Sequence, residues 1–72
     1  EQHAIFEVEV PAGWIGKSVG ELNIRRKYGI NILGIKHSGK TDVSITPDTM
    51  LSGEITILAL GEYKALQKCF RI

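Results

Sequence analysis

Residues 18–36 read SVGELNIRRKYGINILGIK, and the pattern changes from that of a helix to that of a strand within this stretch. Ser18 followed by Glu21 is a capping box, which starts a helix by satisfying two backbone N–H groups. The pattern predicts a helix over residues 19–27 that is closed by Gly29, in the place where glycine is favoured. The next segment therefore has to begin as a new element.

Three further segments and the end of this stretch predict strands. Residues 31–36 carry a nearly continuous apolar run, which is typical of a strand buried on both faces. Residues 4–10 alternate as a half-buried strand does. Residues 41–45 are predicted to pair with 31–36 through a Ser38-Gly39 turn, and residues 54–60 predict another central strand.

A closing helix is predicted over residues 62–70, which place Leu66 and Phe70 four positions apart. The complete predicted order is then strand, helix, strand, strand, strand, helix. No repeat or linker interrupts it. The sequence therefore predicts one α+β domain with a small sheet over residues 1–72.

Length and composition predict that this domain needs support from outside. The 72 residues are 43% hydrophobic, and a domain of this size buries only about 60% of its unfolded surface. One cysteine cannot form an internal disulfide, and two histidines are too few for a zinc site. We expect the support to be a second copy, a larger parent chain or a ligand. A chain that starts at Glu1 and has its single methionine at position 50 is expected to be a fragment.

Charge and hydropathy argue against two classes of function. The net charge of +1 argues against a nucleic-acid binder, which needs a clearly basic face. No apolar run approaches the roughly 18 residues that cross a membrane, so we expect no direct membrane insertion. No signal peptide is recognisable, and the predicted location is cytosolic.

Residues 34–41, GIKHSGKT, match the letters of a phosphate-binding loop. That loop needs a helix after it, whose N–H groups and dipole hold the phosphates. The residues after Thr41 instead form a β-branched pattern that ends at Pro47. We interpret the match as a hairpin turn, and the shorter Gly16-Lys17-Ser18 as a helix cap.

No constellation of side chains predicts an enzyme. Cys69 has no histidine near it in sequence, and we interpret it as a small apolar filler. His3 and His37 are predicted to be solvated. The acidic residues are scattered singly, so no pair for acid–base chemistry is recognisable.

Arg25, Arg26 and Lys27 leave two interpretations open. Three cations at the end of a helix complement its negative pole, which would make them a solvated helix terminus. Alternatively, an arginine can bind a phosphate, and Asn31 can both donate and accept hydrogen bonds beside it. Since successive helical residues point about 100° apart, at most one of the two arginines is expected to reach a given pocket.

Four segments carry a resemblance to a known family: PAGWIGKS at 11–18, ELNIR at 21–25, YGINIL at 28–33 and GE at 53–54. Together they resemble the carboxy-terminal ligand-binding (TrkA-C) domain of RCK proteins, the regulatory subunits of Trk/Ktr-type potassium uptake systems. The similarity covers essentially the whole chain. It implies a two-fold homodimer that binds cyclic di-AMP between its copies, with no cofactor.

The resemblance also implies partners and a mechanism. The expected partners are a second copy, an amino-terminal dinucleotide-binding domain of the same chain and a membrane subunit that translocates potassium. The domain would then be cytoplasmic and peripheral to the membrane. The alternative is a ligand-free structural dimerisation domain of a cation transporter or antiporter subunit.

The resemblance implies roles for six residues. Arg25 would contact a phosphate, and Asn23 and Asn31 would form hydrogen bonds with the nucleotide. The adenine would lie against an apolar wall formed by Val19, Ile32 and Pro47. A ligand with two-fold symmetry suits an interface that presents each of these residues twice.

Overall fold

The computed structural model describes residues 2–72 and contains a four-stranded sheet and three short α-helices. The strands are β1 (His3–Glu9), β2 (Asn31–His37), β3 (Lys40–Asp42) and β4 (Thr56–Glu62). The helices are α1 (Val19–Leu22), α2 (Ile24–Tyr28) and α3 (Tyr63–Phe70), and a 3-10 helix spans Ala12–Trp14. The predicted α+β class is confirmed.

The sheet has the order β1-β4-β2-β3, and each pair of neighbours is antiparallel. β4 is a central strand, and its buried residues are Ile57, Ala59 and Gly61, which alternate along it. Alternation of this kind means that one face of the sheet lies on the core. The central strand predicted over residues 54–60 is therefore confirmed, starting two residues later.

The core joins this face of the sheet to the helices. Its largest fully buried side chains are those of Ile30, Leu51, Ile57 and Leu66, each at most 1% exposed. Burial of one such side chain stabilises a fold by about 1.5–3 kcal/mol. Ile30 and Leu51 lie outside the strands and helices, so two loop segments are fixed to the core as firmly as the regular elements.

Trp14 brings three elements together. Its side chain is 4% exposed, and its ring lies 5.4 Å from that of Tyr28 and 5.5 Å from that of Phe70, between ring centroids. Aromatic pairs at such distances add about 0.5–1.5 kcal/mol beyond burial. The 3-10 helix is thus packed against the ends of α2 and α3.

The single helix predicted over residues 19–27 is wrong, because the chain breaks it at Asn23. Asn23 has φ 52° and ψ 47°, in the left-handed region that asparagine tolerates better than most residues. Its N–H donates to carbonyls of α1 and its carbonyl accepts from Lys27 at 2.8 Å, so one residue ends α1 and starts α2. The predicted capping box and the end at Gly29, with φ 71°, are confirmed.

The predicted strand over residues 41–45 is also too long. β3 ends at Asp42, whose carboxylate accepts a hydrogen bond from the N–H of Ser44 at 2.9 Å and turns the chain. Val43, expected in that strand, is 72% exposed. The predicted hairpin turn is confirmed, because Ser38 and Gly39 have φ 53° and 79°, as a type I′ turn requires.

Residues 34–41 therefore form a hairpin, as predicted, and do not form a phosphate-binding loop. They end β2, make the turn and enter β3, where the phosphate-binding fold would begin a helix.

The prediction that β2 is buried on both faces is wrong. Leu33 is 38% exposed, and it lies at a shift in the register between β2 and β4. Within residues 2–72, none of the helices has the length and apolar character needed to cross a membrane.

Candidate functional site

A cavity of about 290 Å³ opens between helices α1 and α2, the start of β2 and the segment that precedes β4. It is the place where the six residues predicted to bind a ligand meet. All six line it: Val19, Asn23, Arg25, Asn31, Ile32 and Pro47. Their positions span 29 residues of the chain, from 19 to 47, so folding and not sequence proximity brings them together.

Besides Thr46, whose hydroxyl is hydrogen-bonded within its own turn, the polar side chains of the cavity belong to Asn23, Arg25 and Asn31. Asn23 lies at the break between α1 and α2, Arg25 is the second residue of α2, and Asn31 is the first residue of β2. None of the side-chain hydrogen bonds found among residues 2–72 uses them. The Lys36–Glu7 ion pair and the 4.0 Å contact between His37 Nε2 and Glu54 Oε1 do not involve Arg25 either.

The three consecutive cations of α2 face different surroundings. Arg25 and Arg26 are both exposed, but Arg25 lines the cavity and Arg26 does not. The Lys27 ammonium lies 5.5 Å from the centroid of the Tyr28 ring. Lys27 and Tyr28 line a different depression of the surface. The prediction that at most one arginine reaches a given pocket agrees with this geometry.

The apolar part of the cavity consists of Val19, Ile32 and Pro47. Val19 and Ile32 are half-buried, and Ile32 pairs with Ala59 at the start of β2. Pro47 belongs to a turn over residues 46–49, in which the N–H of Thr46 donates to Thr49 Oγ1 at 2.9 Å and the N–H of Thr49 donates to the carbonyl of Thr46 at 3.0 Å. The proline is therefore presented by a closed turn.

The first N–H groups of α1 all have partners inside the protein. The box pairs the N–H of Ser18 with Glu21 Oε1 at 3.2 Å and the N–H of Glu21 with Ser18 Oγ at 3.1 Å. The N–H of Val19 donates to the carbonyl of Thr49 at 2.9 Å. The N–H of Gly20 donates to the carbonyl of Pro47 at 2.8 Å. An anion in the cavity would thus be held by side chains and not by this helix terminus.

Sequence reasoning missed five lining residues: Gly20, Ile24, Ile30, Ile45 and Thr46. Gly20 carried a usable signal, because a glycine inside a predicted helix costs stability and often marks a close backbone approach. Ile30 is fully buried and contributes to the floor of the cavity. Ile45 was predicted to end a strand that in fact ends at Asp42, and Thr46 follows it, so the position of neither could be inferred.

The remaining reactive side chains lie apart from the cavity. Cys69 is half-buried against the core, in agreement with the apolar role predicted for it, and burial raises the pKa of its thiol. His3 and His37 are exposed, as predicted. Within residues 2–72, no group of three or more histidine, cysteine, aspartate and glutamate side chains is placed to hold a metal.

Known proteins are similar to this chain in sequence and in fold. The chain is 29% identical over 68 residues to the Ktr system potassium uptake protein A of Bacillus subtilis, covering 94% of the chain. It spans only 31% of the length of that protein.

Two solved structures are similar over nearly the whole chain. The RCK C domain of the potassium transport protein KtrA, in complex with cyclic diadenosine monophosphate, superposes with a TM-score of 0.85 at 28% identity, covering 97% of this chain and 82% of that one. The RCK_C domain dimer of S. agalactiae BusR, in complex with c-di-AMP, has a TM-score of 0.74 at 27% identity, covering 99% and 97%.

A family model agrees with these similarities. The model described as the TrkA-C domain matches residues 3–72, so the match includes every element of the fold and every residue that lines the cavity. The chain belongs to the TrkA-C domain family.

Proposed function

We propose that this domain binds cyclic di-AMP between two copies of itself and thereby regulates a bacterial potassium uptake system. The observation that carries the proposal is the cavity, where one guanidinium, two side-chain amides and an apolar wall are brought together. Domains of two similar proteins are in complex with this ligand, and one of them is a dimer.

The side chains of the cavity suit the parts of this nucleotide. Arg25 would form charge-assisted hydrogen bonds with a phosphate, which are roughly twice as strong as neutral ones. Asn23 and Asn31 can donate and accept, as the edge of adenine and the ribose require. The adenine ring would pack against Val19, Ile32 and Pro47, in the manner of pockets that combine apolar walls with a few polar groups.

The size of the cavity favours a site shared by two chains. Pockets for small ligands usually enclose about 300–1,000 Å³, and the cavity of one chain lies at the lower limit with 290 Å³. Cyclic di-AMP has two equivalent halves. One chain would hold one half, and a second copy related by a two-fold axis would present the same residues to the other.

The proposal extends to the parent protein. It includes three features that the family resemblance implies: an amino-terminal dinucleotide-binding domain, a membrane subunit that translocates potassium, and a cytoplasmic location. Ligand binding could change transport only if cyclic di-AMP has a higher affinity for one arrangement of the paired domains than for another. This domain would supply that difference in affinity.

A second candidate is a structural dimerisation domain of a cation transporter or antiporter subunit, without a ligand. One observation favours it: the last turn of α2 contains Arg25, Arg26 and Lys27, so Arg25 also lies where a cation stabilises a helix terminus. In that case the apolar wall would serve only contact between chains.

Isothermal titration calorimetry with cyclic di-AMP distinguishes the two candidates. We expect saturable binding at one ligand per two chains, with cyclic di-GMP and AMP as controls for ligand identity. Analytical ultracentrifugation of the same sample should give a dimer when the ligand is bound. A dimer that produces no binding heat at high ligand concentration would support the structural candidate and overturn the proposal.

A further inference from the structure

Gly20 occupies the point of closest approach between two walls of the cavity. A side-chain Cβ built at this position would lie 2.8 Å from Pro47 Cβ, 2.9 Å from the Pro47 carbonyl oxygen and 3.2 Å from Pro47 Cα. Cβ atoms are essentially never found below 3.0 Å from such neighbours. Two of the three atoms belong to the backbone, so rotation of a side chain cannot relieve the overlap.

Gly20 is also the last position of a backbone ladder. Four hydrogen bonds of 2.8–3.0 Å join residues 16–20 to residues 47–51. Gly16 donates to Leu51, Leu51 donates to Lys17, and Val19 donates to Thr49. The ladder ends with the 2.8 Å bond from the N–H of Gly20 to the carbonyl of Pro47. Both residues that form this bond line the cavity.

We propose that Gly20 is a positioning residue that sets the separation between Pro47 and the helices, and thereby the width of the slot for the ligand base. The inference rests on the proposed function for its ligand and goes beyond it in assigning this residue. Any side chain at position 20 would move the 46–49 turn outward by several tenths of an ångström. Pro47 would then lose contact with a planar ring, because van der Waals attraction falls steeply over such distances.

The substitution Gly20→Ala tests the role, with Gly13→Ala as the matched control. A Cβ at Gly13 would meet nothing within 4 Å, and Gly13 does not line the cavity. We expect Gly20→Ala to weaken cyclic di-AMP binding about tenfold, or about 1.4 kcal/mol. Gly13→Ala should bind like the wild type. The dissociation constants are compared by calorimetry at a temperature where thermal unfolding curves show each variant to be fully folded.

Amide hydrogen exchange separates positioning from stability. In Gly20→Ala, the N–H of residue 20 should exchange faster because its bond to Pro47 is lengthened and weakened, while the N–H of Glu21 stays protected by Ser18. If Gly20 only stabilised the fold, Gly20→Ala would lower the melting temperature. The affinity of the folded protein and the exchange rate of the residue 20 N–H relative to that of Glu21 would then be the same as in the wild type. That result would overturn the inference.

Thr49→Ala gives a second test if Gly20→Ala does not fold. It removes the hydroxyl that accepts from the N–H of Thr46 and loosens the turn without adding an atom. We expect affinity to fall about threefold, which is less than for Gly20→Ala because the turn can still reach its wild-type position. Unchanged affinity would count against the inference. If the wild type does not bind cyclic di-AMP, the proposed function fails, while amide exchange in Gly20→Ala still decides whether Gly20 holds Pro47.

Discussion

Strands β1 and β4 with helix α3 contain five buried residues, whereas residues 16–25 and 45–51, the cavity rim, contain two and are joined to each other by four backbone hydrogen bonds. Ile57 and Leu66 in the first region are completely buried. In the cavity rim, Ile24 and Leu51 are the buried residues, and the others that line the cavity are exposed or half-buried. The proposed ligand site thus lies largely apart from the side chains buried between β1, β4 and α3, so substitutions should separate stability from ligand binding.

The largest expected effect comes from Leu66→Ala in the region of buried side chains. Loss of a fully buried leucine should lower the free energy of unfolding by about 2–5 kcal/mol, because a cavity remains in the core. Urea unfolding followed by circular dichroism measures this change, with the exposed neighbour Gln67→Ala as control. A midpoint equal to that of the control would contradict the division between the two regions.

A smaller effect, and one on binding, is expected from Arg25→Ala in the cavity rim. Hydrogen bonds that involve charged groups contribute about 1.5–3 kcal/mol, so cyclic di-AMP affinity should fall by about tenfold to a hundredfold. Arg26→Ala, which removes the same charge outside the cavity, should change affinity little. Unfolding free energies of both variants should stay within about 0.5 kcal/mol of the wild type.

The neighbouring amide should matter less than the arginine. Asn23→Ala is expected to lose less affinity than Arg25→Ala, because a neutral contact is weaker. Asn23→Gly is the better probe, since glycine adopts the left-handed backbone at φ 52° without strain. Calorimetry that gives unchanged affinity for Arg25→Ala, or a larger loss for Asn23→Gly, would show that the phosphate contact is assigned to the wrong residue.

The smallest effect concerns a surface network on the sheet. Glu7 accepts hydrogen bonds from Thr56 Oγ1 at 2.8 Å and Lys36 Nζ at 3.3 Å, and these two contacts, Thr56 first, lower the pKa of its carboxyl below the ordinary value of 4.5. A carboxyl with a lowered pKa stabilises the fold above its unfolded pKa, and this contribution is lost as the pH falls through the folded pKa.

Thr56→Val should therefore raise the pKa of Glu7 towards its ordinary value. An NMR titration of the Glu7 carboxyl carbon between pH 2 and 7, a range of about two units around the ordinary pKa, measures the change. Binding of cyclic di-AMP should be the same in the variant, because Glu7 and Thr56 do not line the cavity. An unchanged pKa would mean that the hydrogen bond from Thr56 does not hold the carboxylate in solution.

Local patterns allowed much of the fold to be predicted, because they are determined by neighbours in sequence. The Ser18–Glu21 capping box, the end of α2 at Gly29 and the Ser38-Gly39 turn each depend on a few adjacent residues. The break at Asn23 was not predictable in the same way. Asparagine tolerates the left-handed region without requiring it, so its presence at position 23 does not by itself predict a break.

The candidate site was located through a family resemblance rather than through spacing. Residues 19–32 could be placed near one another on a helix and strand, but nothing in the pattern of residues 43–51 indicates that Pro47 returns to them. The ladder between residues 16–20 and 47–51 consists of backbone groups, which every residue carries. Such contacts leave almost no trace in side-chain periodicity, except a glycine where the approach is closest.

The packing of Trp14 gives the domain a built-in optical reporter. It is the single tryptophan of the chain, and its indole is enclosed by the rings of Tyr28 and Phe70. Tyr28 ends the helix that carries Arg25, while Trp14 itself does not line the cavity. Its fluorescence therefore follows unfolding directly. A nucleotide bound in the cavity would not touch the indole. A change in the emission spectrum on adding the nucleotide would therefore report a movement of α2 that reaches Trp14 through Tyr28.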